Sequence, residues 1–211
     1  MKALSDLDLA ALLCSRVCHD VISPVGAIAN GLEILAEETD EEMREMAFDL
    51  VRRSSDQASA KLQFCRLAFG AAGSAGSKLD LGEAGEIARN FVGKERVTLD
   101  WSMPRETRDK TEVKLLLNLM LMGISAVPRG GTVTVAPDGA GLAVNATGEG
   151  AKLPDASRRV LDGDMDPGEL DARLVQVYYA MRLAEQAGYA IDAAAGEGGV
   201  VITAAAKAAV V

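Results

Sequence analysis

The chain has 211 residues, nearly half of them hydrophobic and few aromatic, and carries a formal charge of −9. That length suits one large or two small domains with an ample core built on Leu, Val, Ala and Met. The acidity argues against nucleic acid, because no stripe of Lys and Arg gathers to meet phosphates. With no signal peptide and no unbroken apolar run of membrane length, the expectation is a soluble, cytoplasmic protein.

The first element is a long helix over residues 4–38, with Ser5-x-x-Asp8 as a capping box of sorts. Leu4, Leu7, Ala11, Cys14, Cys18, Val21, Val25, Ile28, Leu32 and Leu35 recur at alternating steps of three and four. This is an a/d seam of the kind that packs against other helices, so it is expected to be buried. The only histidine, His19, lies about 130° from the centre of that seam and is expected to face water. Ser15, Arg16, Ser23, Gly26, Asn30, Glu33 and Glu37 share its face, with Leu12 and Ile34 nearby. Gly26 wants a reason, since glycine inside a helix costs about 1 kcal/mol relative to alanine; a bald patch there would let another backbone come close. Pro24 removes a hydrogen bond and crowds the carbonyl one turn back, which predicts a loosened or kinked helix just past the histidine. Face geometry by itself leaves two readings open, an ordinary surface histidine or a chemical one.

Cys14-x-x-x-Cys18-His19 has the look of a metal ligand set, but His19 points off the side of the two cysteines and no fourth ligand is evident. No metal or cofactor of the chain's own is expected, and the three cysteines fit thiols used as small hydrophobes in a reducing compartment.

His19-Asp20-Val21-Ile22-Ser23-Pro24-Val25 resembles the H-box of two-component histidine kinases, in which a dimeric four-helix bundle presents a phosphorylated histidine. The longer stretch CSRVCHDVISPVGAIANGLEIL, residues 14–35, resembles the ChpT-type histidine phosphotransferases of alphaproteobacterial cell-cycle phosphorelays. That resemblance runs over nearly the whole chain. It implies that His19 accepts the phosphoryl group, with Asp20 holding or accepting the ring proton. Receiver domains would dock on the face below, through Arg16, Ser23, Gly26, Asn30 and Ile34.

Thr39 or Asp40 should cap a second helix over residues 41–69, with Met43, Ala47, Leu50, Ser54, Ala58, Leu62, Cys65 and Phe69 as its inner stripe. The short link makes an antiparallel hairpin. One hairpin leaves too much seam uncovered to stand alone, so two chains are expected to close a four-helix bundle. Residues 70–78, GAAGSAGSK, read as a linker. They separate a hairpin domain over 1–70 from a second domain over 79–211.

The second half alternates between helices expected at 81–92, 110–126 and 170–186 and strands at 96–101, 132–136, 142–145, 189–193 and 200–203. Pro137-Asp138-Gly139 marks a hairpin turn between two of the strands. The fold class is therefore α+β, with helices layered on a sheet. Its segments resemble the ATP-binding domain of histidine kinases with the ligands removed. Asn118 stands at the first asparagine of that family's N-box but Met122 at the second, which would hold magnesium. Ala146 replaces the adenine-reading aspartate of the loop that Val144-x-Ala146-x-Gly148-x-Gly150 follows. Asp166-Pro167-Gly168-Glu169-Leu170 stands where a glycine-rich lid belongs. A thioether is no magnesium ligand and an alanine makes no hydrogen bond, so nucleotide binding is not expected. The resemblance thus implies a relay of phosphoryl groups between receiver aspartates, with magnesium supplied by the receiver. A working kinase with a divergent pocket and a non-catalytic dimeric scaffold are the alternatives.

Overall fold

The computed structural model describes residues 4–70, 78–93, 96–139 and 141–207. Helix α1, Asp6–Glu37, begins where the Ser5 hydroxyl accepts from the Asp8 amide at 3.1 Å. Helix α2, Glu41–Ala68, begins where the Asp40 carboxylate accepts from the Met43 amide at 3.0 Å. Arg44 closes the turn between them by donating to the carbonyls of Leu35 at 2.6 Å and Glu38 at 3.0 Å. The helices form the expected antiparallel hairpin. Helix α1 runs continuously through Pro24, which is buried.

The face that α1 turns to α2 differs from the expected seam. Half-buried or buried positions include Leu9, Leu12, Leu13, Val17, Val21, Pro24, Ile28, Gly31 and Leu35, with Arg16, Asp20 and Ala27, and they centre about 110° round the helix from the seam. The seam is open over much of its length, with Cys14 and Cys18 exposed and Leu7, Val25 and Leu32 showing 80%, 47% and 53% of their surface, while Leu4, Val21, Ile28 and Leu35 are half-buried. Close approach decides the difference. A Cβ at Gly31 would stand 2.6 Å from Val51 Cγ2 and 3.2 Å from the Ala47 carbonyl, so small residues draw the two backbones together along this flank. On α2, Ala47, Ser54, Ala58 and Cys65 are buried as expected, whereas Met43 and Leu62 of the proposed inner stripe are exposed. By length and average composition α1 could cross a membrane, with an 18-residue window of mean hydropathy 1.3.

Strand β1, Lys78–Asp80, leads into α3, Leu81–Val92, and then β2, Val97–Trp101. Strand β3, Thr107–Asp109, pairs antiparallel with β1 and runs into α4, Lys110–Ala126. Strands β4, Gly131–Asp138, and β5, Gly141–Thr147, form the expected hairpin. Helix α5, Asp155–Leu161, a single 3-10 turn at Pro167–Glu169, and α6, Val175–Ala187, precede β6, Tyr189–Gly196, and β7, Gly199–Ala206. The five-stranded sheet has the order β2-β4-β5-β7-β6, parallel only between β2 and β4. Two short strands and α5 were not read from the sequence. The last helix starts later than expected, because the Asp171 carboxylate takes the Arg173 and Leu174 amides at 2.8 Å and forms a turn first.

Helix α4 is nearly all buried, from Val113 to Ala126 with few exceptions, which is why its apolar residues run round the whole helix. The core continues from this layer into the base of the hairpin. Phe64 of α2 stacks on Phe91 of α3 with centroids 4.0 Å apart, and the Leu4 amide donates to Tyr178 of α6 at 3.1 Å. The linker expected at 70–78 lies outside the described residues except at its two ends.

Candidate phosphotransfer site

His19 sits midway along α1 with its side chain 54% exposed. Its Nδ1 lies 3.4 Å from Asp20 Oδ1, while Asp20 Oδ2 accepts from Arg16 Nε at 2.8 Å. The Asp20 and Arg16 side chains are only 15% and 18% exposed, lying toward α2. One carboxylate therefore bridges a guanidinium on the inner side and an imidazole on the outer side. If the contact is a hydrogen bond from Nδ1–H to the carboxylate, the ring's lone pair lies on Nε2. Buried below this group is Cys65 of α2, whose thiol is pushed up to about 11, first by burial and then by the Asp20 charge. It is an inert packing thiol.

The face below the histidine is open. Ser23, Gly26 and Asn30 are exposed, and Ile34 shows 37% of its surface. A Cβ at Gly26 would meet nothing within 4 Å, so nothing inside the chain demands a glycine there. Arg16, expected on this face, stands at its inner edge with its guanidinium on Asp20. The Arg16–Asp20 pair was legible as an i,i+4 spacing but was not read that way. No group of three His, Cys, Asp or Glu side chains among the described residues could hold a metal.

The kinase-like positions of the second domain are packed shut. Met122 and Ala146 have no exposed surface. Asn118 is equally buried; its Nδ2 donates to the Lys114 carbonyl at 2.8 Å and the Ala68 carbonyl at 3.3 Å. Gln176 of α6 donates in turn to the Asn118 carbonyl at 2.7 Å and to Asn118 Oδ1 at 3.3 Å. The asparagine joins α2, α4 and α6 through these bonds. Gly131, at φ +151, serves a close crossing, since a Cβ there would collide with the Thr147 carbonyl. In place of a lid, Asp166 caps the Gly168 amide at 2.8 Å, Glu169 pairs with Arg159 at 3.1 Å, and Met165 and Leu170 are buried. Gln176 is a polar member of the core that sequence reasoning missed, because a glutamine on a helix carries no sign of its partner.

A family model described as the histidine phosphotransferase C-terminal domain matches residues 81–199. The protein phosphotransferase ChpT of Brucella abortus (strain 2308) is 44% identical over 193 residues, 90% of this chain and 91% of that one. This chain belongs to the histidine phosphotransferase family. A solved bacterial phosphotransferase, determined at 1.7 Å, superposes with a TM-score of 0.87 at 40% identity, covering 96% of this chain and 98% of that one. The family carries an α+β fold with a long N-terminal helical hairpin, and its members transfer phosphoryl groups in phosphorelays. Neither alternative reading, kinase or scaffold, gains support from these relatives.

Proposed function

We propose that His19 carries the phosphoryl group between aspartates of receiver domains, from a hybrid histidine kinase to response regulators. The observation that carries this reading is an exposed imidazole whose Nδ1 rests on a carboxylate. The His19 Nε2 lone pair attacks phosphorus, and the bond from phosphorus to the receiver's aspartyl oxygen breaks. The electron pair leaves with that carboxylate, so a P–N bond replaces a P–O bond. Onward transfer reverses these roles at a second receiver. Throughout, Asp20 holds the Nδ1 proton and meets the positive charge that grows on the ring. Charge on the phosphoryl group is neutralised by the receiver's own magnesium and lysine, which this chain is not called on to supply.

Two hairpins pack along the open seam of Leu7, Val25 and Leu32, joined by Met43, Met46 and Leu62 of α2, to make a homodimeric four-helix bundle. The resemblance adds a cytoplasmic relay of cell-cycle control, with the hairpin over 1–70 as the transfer domain and 79–211 as the degenerate ATPase-like domain. Incubating the purified chain with a radiolabelled, phosphorylated receiver tests the reading. Label should move to the chain, and absence of label would overturn it.

No ATP affinity is expected, because Met122, Ala146 and the pinned segment at 166–170 remove three polar partners of a nucleotide. Calorimetry should register no heat on titration with ATP. A micromolar dissociation constant would promote the kinase alternative.

The docking face comprises Ser23, Gly26, Asn30 and Ile34; Arg16, expected there from the sequence, is instead turned inward onto Asp20. Gly26→Leu should leave the chain as stable as before or more so, by about 0.5–1 kcal/mol of helix propensity, since open space surrounds the position. Transfer to and from every receiver should slow. Unchanged rates would move the docking face away from this helix.

A further inference from the structure

We propose that Arg16 is a positioning residue of the transfer reaction, acting through Asp20 to set the tautomer of His19; this rests on His19 as the acceptor. The geometry needs such a residue. Neighbouring positions in a helix point about 100° apart and do not face each other. An aspartate directly after a histidine reaches the ring only if its carboxylate is swung sideways out of its own direction. Asp20 is held in that posture from the far side, with Arg16 Nε on Oδ2 at 2.8 Å leaving Oδ1 turned to Nδ1 at 3.4 Å.

The partners available to Asp20 sharpen the point. Arg16 lies one turn back on α1 at the i,i+4 position and is half-buried against the hairpin. Across the gap α2 presents the neutral thiol of Cys65, with the Lys61 ammonium of the same helix acting on that thiol more weakly than Arg16 does, so the guanidinium is the cation bonded to the carboxylate. Without the guanidinium the carboxylate is free to rotate away from the ring. An imidazole side chain left to solvent favours the Nε2–H form, and that proton blocks the lone pair facing a receiver. Arg16 therefore keeps the nucleophile in its reactive tautomer without touching phosphorus. A neutral side chain at this position would remove that restraint, and lysine would keep the charge on a shorter, less directional arm.

His19 is the only histidine in the chain, so every imidazole signal in a spectrum of the protein belongs to the site. The experiment is a long-range 15N–1H correlation on uniformly labelled wild type, Arg16→Ala and Arg16→Lys. It is recorded at about pH 8.5, above the usual imidazole range, and paired with transfer kinetics against one phosphorylated receiver. Wild type should show the Nδ1–H form, Arg16→Ala should shift to Nε2–H, and Arg16→Lys should recover much of the wild-type signature. In Arg16→Ala the maximal transfer rate should fall about tenfold, a typical cost of a misplaced proton partner, with KM for the receiver unchanged. A raised KM with the tautomer unmoved would overturn the proposal and make Arg16 a docking residue. An unmoved tautomer with unchanged rates overturns it as well. Absence of transfer in wild type would instead sink the phosphotransfer reading, and the tautomer measurement stands apart from that. Arg16→Lys guards against a variant that fails to fold, because it preserves the ion pair with Asp20.

Discussion

Replacing His19 with alanine is expected to abolish phosphoryl transfer while leaving the fold intact. The side chain is more than half exposed, and its polar contact among the described residues is the long Nδ1 approach to Asp20. Surface changes of this kind move stability by less than about 0.5 kcal/mol, and alanine raises helix propensity at the position. Asp20 keeps its ion pair with Arg16, so no buried charge is orphaned. The chemistry disappears completely because no other imidazole exists in the chain. The measurement is transfer of label from a phosphorylated receiver, run beside a urea melt. Label on the alanine variant would show that another side chain accepts the phosphoryl group, and a collapsed melt would show that His19 holds the hairpin.

Asn118→Ala should produce the largest loss of stability, with no effect traceable to nucleotide. Ala68 ends α2, and the last carbonyls of a helix have no partner within it. Here that carbonyl is buried and is met by Asn118 Nδ2, which also holds the Lys114 carbonyl. Gln176 loses its contact to Oδ1 in the same stroke and keeps only its bond to the backbone carbonyl of position 118. Unmade buried hydrogen bonds cost about 1–3 kcal/mol each, and the void adds to this. A total of about 3 kcal/mol is expected by urea denaturation. Because the residue clamps α2 to α4 and α6, hydrogen exchange should also rise at the end of α2. A loss below about 0.5 kcal/mol would mean that the asparagine survives for some reason other than packing.

Much of the site was legible in the sequence because it is local. The helix over α1, the outward histidine, the acid beside it and the open glycine all follow from residue spacing on one helix. So did the hairpin and the alternation of helices and strands, whose signals lie within short windows. The small strands β1 and β3 and the turn before α6 were missed because three-residue elements leave no period to count. Asn118 and Met122 could be read as departures from a kinase pattern, but nothing in a linear pattern says that the surviving asparagine had become a clamp between helices.

Only tertiary structure decided which face of α1 meets α2. The apolar seam carries the stronger heptad pattern, yet the hairpin closes along the flank of Pro24 and Gly31, where the absence of a side chain lets α2 come close. Periodicity counts apolar residues and is blind to how nearly two backbones can approach. It is likewise blind to rotamers, so it could place Arg16, His19 and Asp20 on one stretch of helix but not show a single carboxylate joining the other two. That junction exists because α2 shields one side of Asp20 while solvent borders the other, an asymmetry that arises only when the hairpin folds.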